Sequence, residues 1–127
     1  MYKRQALQGK ADAQYVVGAM YYTGNAVIQD HKQAVTWFRK AAEQGHPDAQ
    51  QVMGLMYRYQ MAGMPQDNVI AYMLWNLAAA KGSVNAAEQR SAVVKHMTQE
   101  QIEEGQALSA AWKPNTPLPT KSRTGGG

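Results

Sequence analysis

The stretch Trp37 to Gln50, which reads WFRKAAEQGHPDAQ, decides the organisation of the chain because related stretches stand before and after it. An altered copy at Tyr2 to Gln14 reads YKRQALQGKADAQ, and a variant at Leu74 to Ala87 reads LWNLAAAKGSVNAA. A unit of helix-forming residues with a period in the thirties is typical of a two-helix repeat that stacks into a solenoid. The sequence therefore predicts an all-α repeat array.

The register of the repeat holds at many single positions. Residues that recur 36 positions later are Gly9, Ala13, Gln14, Gly18, Met20 and Tyr21, which return as Gly45, Ala49, Gln50, Gly54, Met56 and Tyr57. From Asp30 onward the offset is 37, so one residue has been inserted between Tyr57 and Asp67. This register gives a solenoid over 1–112, with a partial first repeat, full repeats at about 11–46 and 47–83, and a degenerate capping pair at 84–112.

Each full repeat is predicted to contain two antiparallel helices, helix A and helix B. Helix A of the first repeat spans Ala11 to about Thr23, and helix B spans about His31 to Gln44. Gly18 lies inside helix A, where glycine costs about 1 kcal/mol relative to alanine, and the equivalent position is again glycine at Gly54. We expect this position to face a close approach of the partner helix that a side chain would block.

The end of the chain carries different signals. Thr98 with Gln101 fits a capping box, and the helix that follows to about Trp112 is predicted to cap the array against its third repeat. From Pro114 the composition turns to Pro, Thr, Lys and Gly, so 113–127 is predicted to be a disordered tail. The glycines at 125–127 have the composition of an appended linker, and the incomplete first repeat is what a fragment of a longer array would show.

Composition excludes several classes of protein. The chain has no cysteine, which rules out disulfides and thiolate chemistry but does not identify the compartment. No apolar run is long enough for a membrane span, so no membrane insertion is expected. Three of the four net positive charges, those of Lys113, Lys121 and Arg123, follow Trp112. The rest of the chain is nearly neutral, and we expect no nucleic-acid partner.

The repeated residues resemble the Sel-1-like repeat. Its pattern A…LG.MY..G.GV..D…A..W..KAA..G…A is similar to Ala13, Val17, Gly18, Met20, Tyr21, Gly24, Ala26, Val27, Asp30, Ala34, Trp37, Lys40, Ala41, Ala42, Gly45 and Ala49. The second copy departs from the pattern at Leu74 and Trp75, where the tryptophan is displaced by one position. The resemblance covers about 2–87.

This resemblance implies an α/α superhelix related to tetratricopeptide repeats, acting as an adaptor for an unidentified protein or peptide, in a bacterial protein. A cysteine-rich branch of the family is linked to β-lactam binding and hydrolysis, which makes a β-lactamase-like hydrolase one alternative. This chain departs from that branch because it has no cysteine. A self-assembling repeat module is a further alternative.

The sequence offers little for catalysis or for a cofactor. The histidines His31, His46 and His96 are far apart and lack the spacing of a helical metal site. No serine lies in a G-x-S-x-G motif or three residues before a lysine. We therefore expect no enzyme activity, no catalytic residue, no metal and no cofactor.

The best candidates for partner contacts lie on helix A, opposite the repeat-pattern positions. They are Tyr15, Ala19 and Tyr22, then Gln51, Leu55 and Arg58, then Glu88, Ala92 and Lys95. In related α/α solenoids helix A lines the concave surface, and Tyr and Arg often anchor protein interfaces. We call these residues the helix-A strip; the alternative is a plain solvated face.

Two further expectations concern apolar residues. Five methionines crowd the second repeat, either as core filling or as an adaptable apolar groove: Met53, Met56, Met61, Met64 and Met73. The half helix at 1–8 is expected to leave the apolar side of the first helix A uncovered. This predicts weak self-association through the N-terminal end.

Overall fold

The computed structural model describes residues 2–125, which form seven α-helices and contain no β-strand. The helices are α1 (Tyr2–Leu7), α2 (Ala11–Thr23), α3 (His31–Glu43), α4 (Pro47–Tyr59), α5 (Asn68–Ala80), α6 (Val84–Val93) and α7 (Gln99–Ala111). Two short 3-10 turns lie at Met61–Gly63 and Val94–His96. The predicted all-α solenoid of antiparallel helix pairs is confirmed.

The pairs α2–α3 and α4–α5 form the two full repeats. Within each pair the helices pack closely, and each helix B also packs against the next helix A, as in α1–α2, α3–α4 and α5–α6. Their apolar faces meet in a core that contains Phe38, Met53, Tyr57, Leu74 and Trp75. The nearest-neighbour packing of a solenoid follows from this order.

The repeated glycine of helix A faces an aromatic side chain of helix B, as predicted. A Cβ atom at Gly18 would lie 2.7 Å from Cδ1 of Phe38, and one at Gly54 would lie 2.7 Å from Cδ1 of Trp75. Because Trp75 stands 37 positions after Phe38, it occupies the position of that phenylalanine. The displaced tryptophan thus packs against the glycine of its repeat as Phe38 does in the first repeat, with a larger ring.

A buried glutamine also recurs in the two repeats. The Nε2 group of Gln14 donates to the carbonyl oxygen of Ala6 at 3.2 Å, and that of Gln50 donates to Ala42 at 3.1 Å. Each bond ties the start of a helix A to the preceding helix, where the last carbonyl groups of a helix lack partners within it. In the third repeat the equivalent residue is Ala87, so this tie is lost where the repeat pattern fades.

The loop insertion is accommodated without disturbing the helices that flank it. The backbone N–H of Asp30 donates to the carbonyl of Tyr21 at 2.9 Å, and that of Asp67 donates to Tyr57 at 3.0 Å. The same closing bond therefore brackets the short loop and the longer one. Gln60 and Ala62 adopt positive φ angles, as Gly24 and Ala26 do at the equivalent positions of the shorter loop, and the longer loop has a further positive φ angle at Gly63.

The methionines of the second repeat fill the core. Met53, Met56 and Met73 are almost completely buried, and Met61 and Met64 pack against the same cluster. Core filling, rather than an open methionine-rich groove, is confirmed.

Helix α7 is present and begins with the predicted capping box of Thr98 and Gln101. It packs against α5, where a Cβ atom at Gly105 would lie 2.5 Å from Cδ1 of Tyr72. The expected contact of Trp112 with the third repeat is wrong, because Trp112 lines a recess with Met73 of α5. The reason is that α5 offers an apolar outer side, whereas α6 is short and mostly polar outside its contact with α5.

The N-terminal end is better covered than the sequence suggested. Helix α1 packs on α2, and Ala13 and Val17 are each only 2% exposed. The expectation of an uncovered apolar side on α2 is therefore wrong, because even this short helix places Ala6 over it. Tyr2 and Leu7 stay exposed, and Met1 lies outside the described residues.

The segment 113–125, predicted to be disordered, follows a defined path over α3, α5 and α7. Composition gave the wrong expectation because two isolated side chains, Leu118 and Ser122, hold the segment and both are 5% exposed. The last two residues of the predicted tail, 126 and 127, lie outside the described part of the chain.

Candidate protein-interaction surface

The first part of the helix-A strip lies on α2 and is half-buried. Tyr15 packs against Phe38 with ring centroids 5.6 Å apart, and Tyr22 stacks on His31 at 4.7 Å. Ala19 also packs against the core cluster. Each of these side chains is therefore partly exposed to solvent and partly packed against the rest of the repeat.

Tyr15 also touches His46, which immediately precedes α4. The two rings stack with centroids 5.1 Å apart. Burial, followed by the negative charge of Asp48, raises the pKa of the Tyr15 hydroxyl above its ordinary value of 10.0. Tyr15 consequently stays protonated at neutral pH and offers a hydrogen-bond donor at the edge of the strip.

His46 joins α2 to α4 and has no free ring nitrogen. Its Nδ1 atom accepts the backbone N–H of Ala49 at 3.2 Å and so caps α4. Its Nε2 atom must then carry the proton in the neutral ring, and it donates to Oδ1 of Asp12 at 2.8 Å. Although an Asp–His pair suggests catalysis, this histidine is fully engaged as a helix cap and cannot act as a general base in this arrangement.

The second part of the strip lies on α4 and is tied to α5 and α6. Gln51 donates from Nε2 to Oε1 of Gln89 at 3.1 Å, and its carbonyl accepts Nε1–H of Trp75 at 3.1 Å. Leu55 is half-buried against the core cluster. The strip is thus continuous from α4 to α6 through the Gln51–Gln89 bond.

Arg58 is the strip residue with the most distinct setting. It lines a cleft of about 130 Å³ that is formed by residues of α4, α5, α6 and the turn after α6: Arg58, Tyr59, Trp75, Gln89, Ala92, Val93 and His96. Its Nη1 group donates to Oδ1 of Asn68 at 3.5 Å, and its guanidinium carbon lies 5.2 Å from the centroid of the Tyr59 ring. No salt bridge joins it to a carboxylate among residues 2–125.

The third part of the strip lies on and just beyond α6. Glu88, Ala92 and Lys95 are all exposed. The strip therefore changes along the array, from half-buried aromatic residues on α2 to exposed charged residues at the end of α6. Ala92 and Arg58 are the strip residues that the cleft brings together.

Sequence reasoning missed several members of this surface. Gln89 and His96 line the cleft, and His46 supports Tyr15. Gln89 lies three residues before Ala92, so its position beside the strip was available from the helical wheel. The contact of His46 was not, because it depends on how the loop between α3 and α4 folds.

Two further kinds of site bear on function, a metal site and a membrane span. No group of three or more metal-ligating side chains occurs within residues 2–125. The same part of the chain contains no helix that is both long and apolar enough to span a membrane.

Comparison with known proteins identifies the repeat. The family model of the Sel1 repeat matches residues 11–46 and 47–83. A comparison with curated proteins finds no match. The fold is similar to the crystal structure of c5321, a protective antigen present in uropathogenic Escherichia coli strains that displays an SLR fold, with a TM-score of 0.82 and 30% identity over 87% of this chain.

A second solved structure, a Sel1 repeat protein from Oxalobacter formigenes, is 40% identical over 64% of this chain, with a TM-score of 0.60. The chain spans 24% of the Escherichia coli protein and 61% of the Oxalobacter protein. Two family matches that together cover more than half of the residues, on a solenoid of the same fold, lead to one conclusion: this chain belongs to the Sel1 repeat family.

Proposed function

We propose that the chain is a noncatalytic protein-interaction module that binds a protein or peptide partner through the helix-A strip. Sel1 repeat proteins are generally protein-interaction scaffolds. The strip supports this role because it combines half-buried tyrosines, a leucine and an arginine across three neighbouring helices. Tyrosine and arginine are common anchors of protein interfaces.

The single observation that carries the proposal is the Arg58 cleft. A cleft of about 130 Å³ is too small for a helix but fits one side chain of a partner. Arg58 is half-buried beside it and has no carboxylate partner within the described residues. A carboxylate from a partner would complete its hydrogen bonding, and charge-assisted bonds of this kind are strong.

The proposal can be tested by site-specific photo-crosslinking in the cell that makes the protein. A photoreactive residue at Lys95 reports on the strip, and one at Thr36, which is exposed on α3, reports on the opposite helix. We expect the Lys95 reporter to trap a defined protein that the Thr36 reporter does not.

The matched variants decide whether the strip is responsible. Arg58→Ala should reduce the yield of the trapped protein about tenfold, the effect of losing about 1.4 kcal/mol of binding free energy. Lys32→Ala removes an exposed positive charge from α3 and should leave the yield unchanged. A partner trapped from Thr36 alone, or a yield insensitive to Arg58→Ala, would refute the proposal.

A further inference from the structure

The segment 113–125 lies in a groove on the other side of the array, along α5 and between α3 and α7. It begins where the backbone N–H of Asn115 donates to the carbonyl of Glu43, at the end of α3. It ends where the carbonyl of Thr124 accepts Nε2–H of Gln101, in the first turn of α7. Three prolines, at positions 114, 117 and 119, keep much of this segment extended.

Leu118 is the apolar anchor of the segment. Its side chain is 5% exposed and belongs to the main core cluster. Its backbone N–H donates to Oε2 of Glu43 at 2.9 Å. Beside it lies a recess of about 370 Å³ that is lined by Met73, Leu108 and Trp112 together with residues of the segment. The groove thus has an apolar pocket and unfilled space next to it.

Ser122 is the polar anchor. Its backbone N–H donates to Oδ2 of Asp67 at 2.8 Å, and its hydroxyl lies 2.8 Å from Oδ1 of the same carboxylate. Asp67 is 2% exposed and also caps α5 by accepting the N–H groups of Val69 and Ile70. The equivalent cap in the first repeat, Asp30, is exposed. Ser122 therefore binds a carboxylate that the fold already holds in place.

A third carboxylate completes the groove. Glu104 on α7 accepts the backbone N–H groups of Arg123 at 2.7 Å and Thr124 at 2.9 Å, and it also accepts the Thr124 hydroxyl. The guanidinium of Arg123 lies 3.5 Å from the carboxylate of Glu100. Four carboxylates line the groove, those of Glu43, Asp67, Glu100 and Glu104, and the segment carries Lys113, Lys121 and Arg123. The two are complementary in net charge, and within residues 2–125 the salt bridge between them is the one from Arg123 to Glu100.

We propose that this groove is a peptide-binding site for an extended, basic, proline-containing segment, and that residues 113–125 are its tethered ligand. Backbone N–H groups bonded to Glu43, Asp67 and Glu104 supply affinity for any extended chain. The anchors supply selectivity for a leucine followed four residues later by serine and two residues after that by threonine. The site lies on α3, α5 and α7, so it is independent of the helix-A strip.

The tethered segment is suited to exchange with a free one. It buries one large apolar side chain and the bonds between Ser122 and Asp67, whereas its bonds to Glu43 and Glu104 lie nearer the surface. Few buried contacts are typical of elements that open locally. Tethering gives the segment an effective concentration on the order of millimolar, so it excludes a weak competing peptide without binding tightly itself.

The test uses the full chain and a fluorescent synthetic peptide of residues 113–125, with anisotropy as the readout. In the double variant Leu118→Ala/Ser122→Ala the tethered segment loses both anchors. We expect the peptide to bind this variant at least about tenfold more tightly than the wild-type chain, whose groove is already filled. A peptide that carries the same two alanines should bind neither chain.

A control variant, Thr120→Ala, changes an exposed residue of the same segment that takes no part in either anchor, and it should behave as the wild type. Hydrogen exchange should show faster exchange of the segment amides in the anchor variant only. If the anchor variant fails to fold by circular dichroism, Ser122→Asp, which opposes a charge to Asp67, replaces it. Equal binding of the peptide to all chains, no binding to the released chain, or segment amides that stay protected without the anchors would overturn the proposal.

Discussion

Gly54→Ala tests the contact on which the repeat is built. The new methyl group would lie 2.7 Å from Cδ1 and Cε2 of Trp75 and closer still to Nε1. Trp75 is 2% exposed and cannot move outward without breaking its Nε1–H bond to the carbonyl of Gln51. Overpacking costs about 1–3 kcal/mol, and a buried donor left without its partner costs about 1–3 kcal/mol more.

These costs are opposed by the higher helix propensity of alanine, which contributes about 1 kcal/mol. The net expectation is a loss of about 3 kcal/mol in the free energy of unfolding, or roughly 10 °C in melting temperature for a chain of this size. Gly18→Ala meets Phe38 at 2.7 Å but breaks no hydrogen bond, so its loss should be about 1 kcal/mol.

Urea denaturation followed by circular dichroism measures both losses, with Ser91→Ala on the exposed side of α6 as the control. Adding Trp75→Leu to Gly54→Ala should recover part of the stability, because the smaller side chain admits the methyl group. A Gly54→Ala chain as stable as the wild type would refute the close approach of α4 and α5 as the reason for the repeated glycine.

Four other outcomes are expected. Trp112→Ala should lower the free energy of unfolding by about 2 kcal/mol, since the indole is half-buried beside Met73 and truncation of a fully buried aromatic costs about 3–5 kcal/mol; an unchanged denaturation midpoint would contradict this. Burial raises the pKa of Glu104, but the Thr124 hydroxyl and the N–H groups of Arg123 and Thr124 outweigh it, so the pKa is lowered from its usual 4.5. The ionised carboxylate therefore stabilises the bound segment above pH 4.5, and this stabilisation is lost as the pH falls through the lowered pKa. The NMR signals of Thr124 should shift with this loss in the wild type but not in Glu104→Gln. Purified protein should not hydrolyse a chromogenic β-lactam above buffer, and saturable hydrolysis that survives repurification would revive the hydrolase alternative. Since α1 covers α2, weak self-association through the N-terminal end now depends on the exposed Tyr2 and Leu7 of α1, and it should disappear in Leu7→Glu. Monomer mass for the wild type at every concentration in light scattering would contradict the association itself.

Periodicity made most of the solenoid predictable. Gly18 and Gly54 pointed to a close helix approach before any contact was known, and Phe38 and Trp75 provide it. The site of the loop insertion followed from the change of offset after Tyr57 in the same way. Structural features that recur in both repeats can be predicted from the sequence, because the same residue type at equivalent positions indicates the same role.

Features that occur once were not readable. Leu118 and Ser122 are single residues in a segment rich in Pro, Thr, Lys and Gly, and no period marks them as anchors. Ser122 binds the buried carboxylate of Asp67, whose role as a helix cap is already complete without it, and Leu118 packs into a core cluster formed by distant helices. The packing of α7 on α5 was missed for a similar reason, since the amphipathic pattern of a helix shows that it buries a face but not what covers it.

The helix-A strip was predictable only in part. Its positions follow from the repeat, yet the half-burial of Tyr15 and Tyr22 depends on stacking with His46 and His31. The Arg58 cleft is assembled from α4, α5 and the end of α6, so no single stretch of sequence contains it.

The central claim is that a partner binds the helix-A strip, and side-chain oxidation footprinting of the complex with a cross-linked partner tests it most directly. Tyr22 and Leu55 of the strip should become protected from hydroxyl radicals when the partner is bound. Tyr2, on α1, and Ile28, which is 91% exposed in the first loop, should be oxidised as in the free chain. Protection of Tyr2 and Ile28 with unchanged oxidation of Tyr22 and Leu55 would place the partner elsewhere and contradict the claim.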